Sequence, residues 1–131
     1  MKNVVIAGSV GLPDALQRWV AYWNAQEGCR VTNYPVAIAP ERLREEYPNV
    51  YKDYFLSLQE ADILFVANQD KRGIRGYIGA EVFAEIAFVL ALNVIEGKKT
   101  EILLAQMPSE QIQAHAEMRL WMDLGYIHIL Q

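Results

Sequence analysis

The sequence is poor in the residue types that build most recognisable sites. One cysteine, Cys29, rules out an internal disulfide. With only His115 and His128 besides, no structural zinc set can be composed. No run of basic residues occurs, and the 12 Lys and Arg are outnumbered by 16 Asp and Glu, leaving a net charge of -4. Phosphate neutralisation dominates nucleic-acid affinity, so a nucleic-acid-binding surface is excluded as an expectation. The longest uninterrupted apolar run, Ile86 to Leu92, is far short of the roughly 20 residues that span a bilayer. Met1 to Gly8 is too short and too soon broken to act as a signal peptide. A reducing cytoplasm is therefore the expected compartment. There is no G-x-G-x-x-G, no Walker lysine and no G-x-S-x-G, so neither a dinucleotide fold, an ATPase nor a serine hydrolase is supported. No cofactor and no metal are expected.

What the chain does have is apolar surface. Of its 131 residues 53% are hydrophobic and 21% charged. That composition fits one folded domain over residues 1–131 and excludes a disordered chain. The hydrophobic share is high for so small a domain, which points to burial between subunits.

The apolar residues fall into alternating strand and helix patterns. Val4–Ala7 reads as a buried strand ended by Gly8. Pro13 and Asp14 open a helix whose apolar face is Leu16, Trp19, Val20 and Trp23, with Gly28 as its stop. Arg30–Tyr34 alternates as a second strand. Pro40–Glu46 predicts a short charged helix ended before Pro48, and Val50–Glu60 a separate one. Ala61–Ala67 is apolar on both faces, as in parallel sheets covered on two sides. Helices are predicted over Ile78–Leu92 and from the N-cap Ser109 to Leu124, with strands at Glu101–Ala105 and Tyr126–Leu130. Five strands alternating with helices predict an α/β fold of three layers. The parallel sheet is expected in the order 2-1-3-4-5, flavodoxin-like or Rossmann-like. Ligands of such folds bind beyond the carboxyl ends of the strands, here between Gly8-Ser9 and the loop Asn68–Gly79.

Glu81 and Glu85 are the only charges inside the apolar segment Ile78–Leu92. Four residues apart, they share a helix face with no cation among them. Burial raises a carboxyl pKa, while the helix N-terminus favours the anion. Opposed influences of this kind mark candidate catalytic groups. A solvent-facing Glu81, or a Glu85 paired with Arg72 or Arg75, is the structural alternative. The preceding loop supplies Asn68 and Asp70 to bind hydroxyls or base edges, and Lys71, Arg72 and Arg75 to hold a phosphate. Tyr77 and Gly79 complete it, and Gly8-Ser9 offers backbone amides to an anion.

Four segments in this order resemble the nucleoside 2-deoxyribosyltransferase-like superfamily, which includes deoxynucleoside monophosphate N-glycosidases. They are Val5-Ile6-Ala7-Gly8-Ser9, Ala61–Val66, the glycine-rich loop, and Ala84–Leu92. The resemblance spans about residues 3 to 105. It implies a flavodoxin-like homodimer or higher homo-oligomer that cleaves or transfers at the N-glycosidic bond of a nucleoside or its monophosphate. A glutamate nucleophile is implied at the position of Glu85. Asp70 is then the group aiding the leaving base, rather than Asn68 or Asp62. Gly76-Tyr77-Ile78-Gly79 replaces the Asp-Ser-Gly-Thr-like stretch of family transferases, so Glu81 stays open as the nucleophile. A non-catalytic nucleotide-binding relative is the second expectation.

Overall fold

The computed structural model describes residues 1–131. Five strands form one parallel sheet: β1 (Lys2–Gly8), β2 (Cys29–Asn33), β3 (Ile63–Ala67), β4 (Glu101–Leu104) and β5 (His128–Ile129). Their order is β2-β1-β3-β4-β5, as the alternation of elements predicts. Four α-helices connect them: α1 (Pro13–Asn24), α2 (Leu43–Gln59), α3 (Ala80–Glu96) and α4 (His115–Asp123).

The two-residue period of the strands divides the core. Val4 and Ile6 of β1, with Ile63, Phe65 and Ala67 of β3, face α1 and meet Leu16 and Trp23. Val5, Ala7, Leu64, Val66, Ile102 and Leu104 face the other way. There they pack with Tyr54 and Leu58 of α2, Ile86, Val89 and Leu90 of α3, and Met118 of α4. Every β3 residue is buried, which explains its unbroken apolar run. Each large side chain fully buried here contributes about 1.5–3 kcal/mol of apolar transfer.

Several boundaries differ from the sequence pattern. The two helices expected on either side of Pro48 are one helix, α2, with Pro48 inside it. Pro48 has no amide to give the Arg44 carbonyl, a local loss near the helix start. The helix continues because its face carrying Tyr54 and Leu58 is buried. Helix α1 ends at Asn24, before Gly28, and the Asn24 side chain accepts the Val31 amide at 2.8 Å. Helix α3 runs on to Glu96, where Gly97 at φ 71° ends it in the left-handed region. Ser109 does not cap α4. Its hydroxyl accepts the Gln111 amide at 3.1 Å, and turns follow up to His115, burying Ile112. Strand β5 shortens to His128–Ile129. No helix is long and apolar enough to cross a membrane.

Candidate functional site

The carboxyl ends of β1 and β3 open into a cleft of about 980 Å³. Gly8, Ser9 and Val10 form one rim, and the segment following β2, Tyr34 to Ile38, forms another. Helix α2 contributes Tyr47, Tyr51 and Tyr54, and α3 contributes Glu81 and Glu85. At Gly8 the backbone pairs closely with β3: a Cβ there would lie 3.0 Å from Leu16 Cδ2 and 3.3 Å from the Ala67 carbonyl.

Glu85 is partly buried in the cleft wall, while Glu81, one turn earlier, is exposed. Burial first, and the Glu81 charge second, push the Glu85 pKa up to about 8. Neither glutamate joins an ion pair. The three pairs in the protein are Lys2–Glu101, Arg42–Glu46 and Arg119–Asp123, so Arg72 and Arg75 do not neutralise Glu85. Tyr54 donates its hydroxyl to the Ile6 carbonyl at 2.7 Å. Its pKa is raised by burial and then by Glu85. Burial, Glu81, Tyr51 and Glu85, in that order, raise Tyr47 as well. The inner cleft is therefore lined by phenols and carboxyls, with no cation paired to them.

A cation stands at the other end. Lys71 Nζ donates to Ser9 Oγ at 2.6 Å and lies 5.3 Å from the centre of the Tyr77 ring. Ser9 Oγ also accepts the Gly11 amide at 3.2 Å, just before α1. This corner can receive an anionic group. Tyr77 folds over Gly79, the N-cap of α3, where an added Cβ would sit 3.1 Å from the tyrosine oxygen.

The β3–α3 loop divides its polar residues between structure and site. Asn68 is buried and fully engaged. It donates to the Gln106 and Gly76 carbonyls and accepts the Ala105 and Gln106 amides. Asp70 does not line the cleft; its Oδ1 accepts the Gly76 amide at 3.0 Å and Gln106 Nε2 at 2.9 Å. Arg72 and Arg75 are exposed and lie outside the cleft lining. Arg72 at φ 54° and Gly73 at φ 75° form a tight reversal between the paired Lys71 and Ile74. Gly8, Ser9, Asn68, Tyr77, Gly79, Glu81 and Glu85 thus come together around one cavity; Asp70, Arg72 and Arg75 do not.

Sequence reasoning missed the tyrosine wall of α2 and the place of Gln69 in the cleft lining. A signal existed in the three- and four-residue steps Tyr47, Tyr51, Tyr54, hidden by charged neighbours. No group of three or more His, Cys, Asp or Glu side chains is arranged to hold a metal ion.

The chain matches no protein-family model, no curated protein and no solved structure.

Proposed function

We propose that the cleft cleaves or transfers at the N-glycosidic bond of a (deoxy)nucleoside or its monophosphate, with Glu85 as nucleophile. The observation that carries this reading is the unpaired Glu85 carboxyl held in the wall of a cleft at the carboxyl edge of the sheet. Departure of a base leaves positive charge on the anomeric carbon, and a carboxylate beside it can capture that carbon as a glycosyl ester. Water or a second base then releases it. The tyrosines of α2 offer flat surfaces to a base or sugar, and the Ser9–Lys71 corner suits a phosphate. The resemblance to nucleoside 2-deoxyribosyltransferase-like proteins supports the same reading. With it go a homodimeric or larger assembly and a cytoplasmic location.

The test is incubation with deoxynucleosides and their monophosphates, followed by chromatography for free base. Glu85→Ala is expected to abolish release while Glu81→Ala retains it. The reverse result moves the nucleophile to Glu81, and no release from the unaltered protein refutes turnover.

One observation favours a second reading. With a pKa of about 8, Glu85 is mostly protonated at neutral pH, and Asp70 is turned away from the cleft. A nucleotide-binding module without turnover has no need of an ionised Glu85. That reading predicts a nucleotide-dependent rise in melting temperature with no base released.

A further inference from the structure

The loop following β3 presents the polar side chains of Asn68, Gln69, Asp70 and Lys71, and each has a partner within the chain, but one of them keeps its N–H donors free. Asn68 and Asp70 hold the loop to Gln106, and Lys71 meets Ser9. Gln69 is different. It lines the cleft, and its Oε1 accepts the indole N–H of Trp19 at 3.2 Å. An indole nitrogen only donates, so the amide oxygen must face Trp19 and the amide nitrogen must face away. Gln69 Nε2 makes no hydrogen bond within the protein, and it is not enclosed. The residue is held at both levels. Its backbone amide bonds the Ala67 carbonyl at 2.9 Å, and its carbonyl accepts the Tyr77 amide at 3.2 Å. Trp19 is itself fixed, 4.4 Å from the Phe65 ring and 5.3 Å from Tyr22. Gln69, a residue of the cleft lining, therefore keeps two N–H donors that nothing in the chain receives.

Their position relative to Glu85 gives them a role. Trp19 belongs to the side of the sheet covered by α1, whereas Glu85 rises from α3 on the opposite side. The cleft straddles the carboxyl edge between them. Displacement at an anomeric carbon needs its nucleophile and its leaving group on opposite faces of that carbon.

We propose that Gln69 Nε2 is the hydrogen-bond donor to the departing base. The proposal rests on the N-glycosidic reading of the cleft. In the first step a Glu85 carboxylate oxygen bonds to the anomeric carbon and the carbon–nitrogen bond breaks. The electron pair goes to the base, where the Gln69 N–H stabilises the charge without giving up its proton. The base takes a proton from water on release. In the second step water attacks the anomeric carbon, the ester bond to Glu85 breaks, and the water's remaining proton is lost to solvent.

Leaving-group dependence separates this role from a structural one. Deoxynucleosides and 4-nitrophenyl 2-deoxyribofuranoside are compared as substrates of the unaltered protein, Gln69→Ala, Gln69→Glu and Glu85→Ala. Loss of one preorganised donor lowers kcat by roughly 10²-fold, so Gln69→Ala is expected to lose about that much with natural bases. With 4-nitrophenolate, which departs as a stable anion, Gln69→Ala is expected to stay close to the unaltered rate. Gln69→Glu keeps the oxygen that Trp19 needs and removes the donor, so it repeats the same selective loss without disturbing the loop. Glu85→Ala abolishes both reactions. Equal loss on both substrates, or no loss on either, overturns the role of Gln69 while leaving Glu85 as nucleophile. Absence of any release by the unaltered protein overturns the N-glycosidic reading and this proposal with it.

Discussion

At the scale of the residue, the proton on Glu85 governs both activity and stability. The titratable groups that line the cleft with it are Tyr34, Tyr47, Tyr51, Asp53, Tyr54, Lys71 and Tyr77, with Glu81 on its own helix. The one cation among them, Lys71, is directed to Ser9. A nucleophilic carboxylate must be ionised, so kcat/KM for the free protein is expected to rise with pH through about 8 and level off above it. A rate already flat from pH 5 to 9 contradicts the assignment. Stability moves the other way. Between its ordinary pKa of 4.5 and about 8, Glu85 holds a proton in the folded chain that the unfolded chain releases. Its contribution is therefore fully present below pH 4.5 and is lost as pH rises through about 8. Glu85→Gln, uncharged at every pH, is expected to flatten that fall. In urea titrations the variant gains most over the unaltered protein at pH 9 and least at pH 4.

At the scale of the element, the β3–α3 loop is a latched structure whose glycines are not equivalent. Gly76 is buried at φ 62°, and an added Cβ would come within 2.7 Å of the Met107 carbonyl and 3.0 Å of Pro108 Cα. Gly73 has a similar φ of 75° with open space around it. The left-handed backbone alone costs an ordinary residue roughly 1–2 kcal/mol. Gly73→Ala is expected to lose about that much, and Gly76→Ala clearly more, because backbone atoms cannot step aside. Chemical denaturation of the two variants checks the order; equal losses mean that the Gly76 contact relaxes. The same loop shows what the sequence made readable. The Ala61–Ala67 run announced the third strand, and Glu85 announced itself as a charge in an apolar helix. Both signals are local and depend only on periodicity. The fusion of α2 across Pro48 was not readable, because burial of Tyr54 and Leu58 sustains a helix that local preference would break. Nor was the engagement of Asp70 and Asn68 by Gln106, more than thirty residues away. A polar side chain's partner is fixed by tertiary approach, which composition does not record.

At the scale of the whole molecule, apolar surface exceeds what this fold buries. Hydrophobic residues make up 53% of the chain, yet only 28 of 131 residues are buried. Part of the remainder lies at the cleft mouth, at Val36, Leu43, Val50 and Tyr51. Another part lies on the last turns of α3, where Val94 is 62% and Ile95 81% exposed. Ala91, one turn before Ile95, is exposed too, so the surface beside Val94 and Ile95 is apolar and uncrowded, a shape that permits close helix approach. Covering such a surface with a second copy removes it from water at about 25 cal/mol per Å² before the costs of association. The net charge of -4 is too small to keep two copies apart at physiological ionic strength, where the screening length is about 8 Å. Light scattering at micromolar concentration is expected to give a mass at least twice the 14.9 kDa of one chain. Ile95→Lys, placed where the side chain already meets solvent, is expected to shift that mass toward the monomer without lowering helix content by circular dichroism. A monomeric unaltered protein removes the assembly altogether. An Ile95→Lys variant that keeps its full mass moves the interface from the end of α3 to the apolar rim of the cleft, where Val36→Lys becomes the substitution that must divide the particle.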